Sequence, residues 1–173
     1  MKELFSIGFL LFSFQLSFSQ RTDIKLMVDS LQYMKADTLD CSADLFWRIV
    51  AKGENAIPYL IDRLQDTTPT PISFKCKVGK LNVAEVAYFA LDAIAFWPTA
   101  VITKQQFDMV DKMGCWSFYD YFLNNKYKPE YQKLIKDWYL INNNKFYRVE
   151  FSKKQMNTCL KKYKIQYYLR WKE

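Results

Sequence analysis

The residue pattern predicts an all-α fold. Three observations carry that expectation. Apolar residues recur at helical spacing in one segment after another. The 173-residue chain holds only 4 Gly and 5 Pro. No alternating run has an obvious partner run to pair with. Half of the residues are hydrophobic and 18% are aromatic, which is enough for a core in a single domain over 20–173. That composition also excludes disordered and collagen-like chains. The chain has no histidine. Ser-His-Asp and Cys-His catalysis, HExxH sites and His-ligated zinc are therefore excluded.

The first segment reads as an address rather than as fold. Lys2 precedes an apolar run from Leu4 to about Phe14, and Ser17-Phe18-Ser19 offers small residues where a signal peptidase reads. Residues 1–19 are expected to be a signal peptide, cleaved after Ser19. A membrane anchor needs about 20 apolar residues, and Ser6, Ser13, Gln15 and Ser17 interrupt this shorter run. No later segment is long and apolar enough to span. The expected location is exported, in the periplasm or outside the cell.

The helices follow in order. Ile24, Met27, Val28, Leu31 and Met34 form one helical face. Leu45, Phe46, Ile49 and Val50 form a second, with Ser42 as a candidate cap and Gly53 as its stop. Asn55 and Pro58 suit the start of a third, with Ile57, Leu60, Ile61 and Leu64 as its stripe. Residues 66–80 lack periodicity and read as a long loop, functional or pinned by Cys76. Asn82 and Glu85 have capping-box spacing before the strongest helix, Val83 to Ile94, which Trp97-Pro98 terminates. Thr103 and Gln106 have the same spacing before Phe107, Val110 and Met113, with Gly114 as the stop. Trp116 to Leu123 is aromatic and of undecided type. Pro129 opens a helix carrying Tyr131, Leu134, Ile135 and Trp138. Phe146 to Phe151 alternates, but without a partner it is expected to be an extended linker. Ser152 and Gln155 suit the cap of a last helix with Met156, Cys159, Leu160, Tyr163 and Tyr167 inward. The count is about seven helices.

The four cysteines, Cys41, Cys76, Cys115 and Cys159, are candidates for two disulfides in an exported protein. There is no CxxC pair, so no thioredoxin-like motif and only a poor zinc pattern. Spacing alone leaves all three pairings open.

Residues Gly53 to Asp66 carry Ala56-Ile57-Pro58-Tyr59-Leu60-Ile61-Asp62-Arg63-Leu64, and Val83 to Ile94 carry Ala84-Glu85-Val86-Ala87-Tyr88-Phe89-Ala90-Leu91. These segments resemble HEAT-type helical repeats over about 42–97. The resemblance implies an α-solenoid fragment of helical hairpins, followed here by additional C-terminal helices. Such folds serve mainly as binding scaffolds. The hairpin it implies would set Cys41 beside Cys76 and leave Cys115 with Cys159. The Ser-Gln signal ending and a composition of 20 Lys against 5 Arg also resemble small exported proteins of Bacteroidetes-type bacteria.

Chemistry without histidine leaves paired carboxylates, as in glycoside hydrolases. Asp37, Asp40 and Asp44 cluster before the second helix, Glu85 and Asp92 share a side of one helix, and Asp108 and Asp111 are three apart. Capping and solvation account for each set. No nucleotide, calcium-loop or serine-nucleophile motif is present, and no cofactor or metal is implied.

Charge is more informative. Residues 126–173 hold 13 Lys/Arg and 4 Asp/Glu, a net of +9, whereas the whole chain is +7. The basic groups are interleaved with aromatics. Lys153, Lys154, Lys161, Lys162, Lys164 and Arg170 are the candidate surface for an anionic partner. Export disfavours nucleic acid and favours a protein or an anionic envelope component. The leading expectation is an exported, non-catalytic interaction or scaffold protein of the envelope. The alternative is a small exported hydrolase using paired carboxylates.

Overall fold

The computed structural model describes residues 22–172. The expected signal peptide, residues 1–19, lies outside them. The chain is mixed α/β, which corrects the all-α, HEAT-like expectation: a two-stranded antiparallel sheet and a three-stranded mixed sheet accompany the helices.

The first helix, α1, covers residues 22–29 and leads through a 3-10 turn at Leu31–Tyr33. Its buried face is the expected one: Ile24, Met27, Val28, Leu31 and Met34 are all in the core. Helix α2 (Asp44–Val50) and helix α3 (Ile57–Ile61) are joined by a 3-10 turn at Gly53–Ala56. Gly53 sits at φ +56°, the left-handed region that a side chain resists. Ser42 makes no capping bond to α2.

The expected loop 66–80 instead contains a hairpin, β1 (Pro69–Ser73) against β2 (Lys80–Asn82). Thr70 and Ile72 alternate inward with Pro69 and Ser73 outward. Helix α4 (Val83–Ile94) follows and is the axis of the molecule. The capping box forms as the spacing predicts: Glu85 N–H donates to Asn82 Oδ1 at 3.1 Å, and Asn82 N–H donates to Glu85 Oε2 at 2.9 Å. Helices α2 and α3 both pack on α4.

Strand β3 (Ala95–Phe96) and helix α5 (Thr99–Thr103) come next. The helix expected over Phe107 to Met113 does not form. Lys104 takes a left-handed φ of 56°, and Val110 bridges Trp116 across a turn. The Asp111 carboxylate accepts the N–H groups of Met113 and Cys115, both at 2.8 Å, which holds that turn. Phe107 still packs on Phe118 at 5.1 Å, but Val110 and Met113 face solvent.

Helix α6 (Phe118–Phe122) settles the undecided aromatic segment, and α7 (Lys128–Asn142) begins with Pro129 in its first turn. Strand β4 (Phe146–Glu150), helix α8 (Thr158–Lys162) and strand β5 (Tyr167–Trp171) complete the chain. The expected linker at 146–151 is thus largely strand, and the expected last helix is cut to the short α8, with Tyr167 passing into β5. Lys164, at φ 57°, ends the helical run before Tyr167. Asn157 caps α8 through Leu160 N–H, while the expected cap Ser152 bonds to Gln155 in a turn.

One apolar core runs from Ile24 to Leu169. Inside it lies a charge cluster. Lys128 and Glu85 are both fully buried and 2.8 Å apart, and Lys77 reaches the same carboxylate at 2.6 Å. Burial lowers the Lys128 pKa, opposed by the Glu85 carboxylate. Lys128 also donates to Asn125 Oδ1 at 2.6 Å, so its cost of desolvation is met by full hydrogen bonding.

The disulfides are Cys41–Cys159 and Cys76–Cys115, not the Cys41–Cys76 and Cys115–Cys159 pairs that the helical-hairpin resemblance implies. The reason is the position of α8. Its Tyr163 ring stacks on Trp47 at 6.3 Å and its hydroxyl donates to Asp44 at 2.9 Å, which sets Cys159 against Cys41. Cys76, at the tip of the β1–β2 hairpin, faces the turn that carries Cys115. No cysteine among the described residues is free. Two disulfides fit an oxidising compartment. No described helix is long and apolar enough to cross a membrane.

Candidate functional site

The three-stranded sheet has the order β3-β5-β4, with β3 parallel and β4 antiparallel to β5. Strand side chains alternate between faces, so the register sorts the residues. Ala95, Leu169 and Arg148 are aligned on the inner face, where Ala95 and Leu169 are buried. Phe146 and Trp171 lie on the same face and form an aromatic block with Trp97 and Trp138. Phe146 is 5.3 Å from Trp97, and Trp171 is 5.4 Å from Trp138. Arg148 covers the Tyr167 ring at 4.6 Å and pairs with Glu54 at 2.7 Å. That face has its partners inside the protein.

The outer face does not. Phe96, Arg170 and Tyr147 are aligned across the three strands. Phe96 is 62% exposed, Tyr147 is 46% exposed, and Arg170 is exposed between them. The Arg170 guanidinium lies 6.0 Å from the Phe96 ring, within cation–π range. Arg170 has no carboxylate partner among the described residues. At one end of this face an open concavity of about 650 Å³ is lined, among the described residues, by Asn144, Lys145, Phe146, Tyr147 and Lys172. At the other end the Phe151 ring packs on Tyr168 at 5.2 Å, and Lys153 and Lys154 follow directly in the chain.

The six candidate cations are all exposed, but they do not form one patch. Arg170 lies within the outer face, and Lys153 and Lys154 are in the turn after β4. Lys162 donates to the Cys41 carbonyl at 3.1 Å and covers the Tyr163 ring, on the side of α8 that faces α2. Lys164 lines a separate crevice with Gly53 and Gln166. Lys161 sits beside Lys162 on α8. Phe96, Lys145 and Lys172 were not candidates by sequence. The alternation Phe146-Tyr147-Arg148-Val149-Glu150 was the signal for them, and its partner Tyr167-Tyr168-Leu169-Arg170-Trp171 was masked by apolar residues on both faces.

The carboxylate candidates are scattered. Asp40 accepts from Ser42 and Thr38, and the Ser42 hydrogen bonds hold its pKa below the usual range. Asp44 holds Tyr163, Asp108 accepts from Gln106, and Asp37 accepts Ser73 N–H through its backbone carbonyl. Glu85 is engaged by Asn82, Lys77 and Lys128. Surrounding protein pushes the Asp92 carboxyl up to about 6, yet by accessible area Asp92 is exposed. Water also reaches this carboxylate, which limits the penalty of burial. No other carboxylate contributes to that shift. Among the described residues no three His, Cys, Asp or Glu side chains gather as metal ligands would.

Compared with protein-family models, with curated proteins and with solved structures, the chain matches none.

Proposed function

We propose that this protein is an exported, non-catalytic interaction module of the cell envelope, acting in the periplasm or outside the cell, and that it binds an acidic glycan on the outer face of its C-terminal sheet. One observation carries the reading. The row Phe96–Arg170–Tyr147 sets a guanidinium between two exposed rings on a face bordered at one end by Lys145 and Lys172. Flat rings stack on the C–H faces of a sugar, and a guanidinium meets a uronate carboxylate with two parallel hydrogen bonds. The Lys145–Lys172 concavity would take the next acidic group along the polymer. An oxidising compartment, which two disulfides suit, makes glycan a more available anion than nucleic acid.

The hydrolase reading receives less support. Retaining and inverting glycosidases need two carboxyl groups about 5–10 Å apart across a substrate. Glu85 is buried in ion pairs, and Asp92 is raised by its surroundings rather than by a second acid.

Affinity electrophoresis of the full chain in gels holding polygalacturonate or dextran tests the proposal. Retardation is expected in the acidic polymer alone. Arg170→Gln and Phe96→Ala should each weaken it by roughly tenfold, the loss of one charged hydrogen-bonded contact or one stacked ring. Equal retardation by dextran, or no change in either variant, would overturn it.

A further inference from the structure

Two loops distant in sequence form one tip of the molecule. The first joins β1 to β2 over residues 74–79, and the second runs over residues 104–117. Cys76–Cys115 bridges them with the Cα atoms 5.6 Å apart, and Lys75 Nζ donates to the Met113 carbonyl at 3.3 Å. The tip is therefore a covalently braced double loop.

Its apolar side chains face water. Val78 is 101% exposed, Met109 72%, Val110 64% and Met113 67%. A residue as bare as Val78 projects on every side, so the surface is convex. Exposed apolar residues grouped in this way mark an interaction site. Lys75, Lys80, Lys104 and Lys112 are exposed around them. The two carboxylates of the tip are hydrogen-bonded within it but keep their charge, and these four lysines outnumber them: Asp111 accepts from the backbone of its own turn, and Asp108 accepts from Gln106 at 3.0 Å.

We infer that this tip docks on an anionic phospholipid surface. The apolar residues enter the boundary between headgroups and acyl chains, and the lysines meet the phosphates, as amphipathic interfacial segments do. A projecting tip suits a deformable surface. A second copy of the chain as the occupant would show as self-association without vesicles, and that outcome would overturn the inference. The tip shares no residue with the outer sheet face, so the inference stands or falls apart from the glycan reading.

The test is co-sedimentation of the full chain with vesicles of phosphatidylglycerol and phosphatidylcholine, against phosphatidylcholine alone, at low and high salt. Binding to the anionic vesicles is expected, weakened by salt. Lys75→Gln with Lys112→Gln should weaken it by roughly tenfold or more. Val78→Ser with Met113→Ser should do the same with every lysine present. All four positions are exposed, and unchanged far-UV circular dichroism checks the fold. Arg170→Gln should leave vesicle binding unaltered. No binding, equal binding to neutral vesicles, complete displacement by inorganic phosphate, or loss through Arg170→Gln alone would each overturn the inference.

Discussion

Gly53 shows how much one residue can fix. Its φ of +56° is reached at no cost only by glycine, and a Cβ there would lie 3.2 Å from the Tyr167 hydroxyl. Gly53→Ala is expected to cost about 1–2 kcal/mol of stability, measured by urea unfolding. Asp92 acts through pH. Its folded pKa is raised from 3.8 to about 6, so the stabilising form is the protonated one. That contribution is complete below about pH 4 and is lost as pH rises through 6. Asp92→Asn should therefore raise Tm at pH 8 and leave it nearly unchanged at pH 3.5, as followed by thermal melts. Equal shifts at the two pH values would contradict this origin.

At the scale of elements, legibility depended on whether a signal was local. The Asn82–Glu85 cap, the positive φ of Gly53 and the inward face of α1 are written in residues three or four apart, and all appear in the structure. The helix expected over Phe107 to Met113 does not form because Phe107, Val110 and Met113 have helical spacing but only Phe107 packs inward. The turn at Asp111 and the Cys115 bridge override the other two. Strands were harder still. Phe146 to Glu150 alternates, but its partner lies 17 residues beyond it, and β3 is only two residues long. The outer sheet face depends on that register, so its basic and aromatic composition is legible in the sequence but not which side chains stand in one row. Disulfide pairing failed for the same reason, because it reports which distant elements meet. Replacing Cys76 and Cys115 together by Ser removes a cross-link closing about 40 residues and is expected to cost up to about 4 kcal/mol. Denaturant unfolding of the double variant measures it. A cost near zero would mean that the β1–β2 tip is held by packing alone.

At the scale of the whole molecule, the charge divides the labour. The front of the chain is slightly acidic; Arg63 closes ion pairs within it, to Asp29 and Asp66, while Glu54, Asp62 and Glu85 reach across to Arg148, Lys136 and Lys128 of the basic back. Burial opposes ionisation of both aspartates, but hydrogen bonds from Lys25 and Arg63 hold Asp29, and those from Thr68 with the Arg63 charge hold Asp66, below the usual carboxylate range. The back is basic, and its sheet face leaves Arg170 unpaired among the described residues. The two sheets sit at different ends of α4: one carries the braced apolar tip, the other the ring-and-guanidinium row.

Cys41–Cys159 encloses residues 42–158, and Cys76–Cys115 closes a second ring within it. Lys104 and Lys112 lie exposed inside both rings, on the type of loop that proteases cut first. A tryptic nick after either lysine leaves the two pieces joined by both bridges. On a gel without reductant the nicked protein should run at its full mass, and with reductant it should fall into two fragments. In a compartment rich in proteases, the molecule can be cut at its most exposed loop and still remain one covalent body.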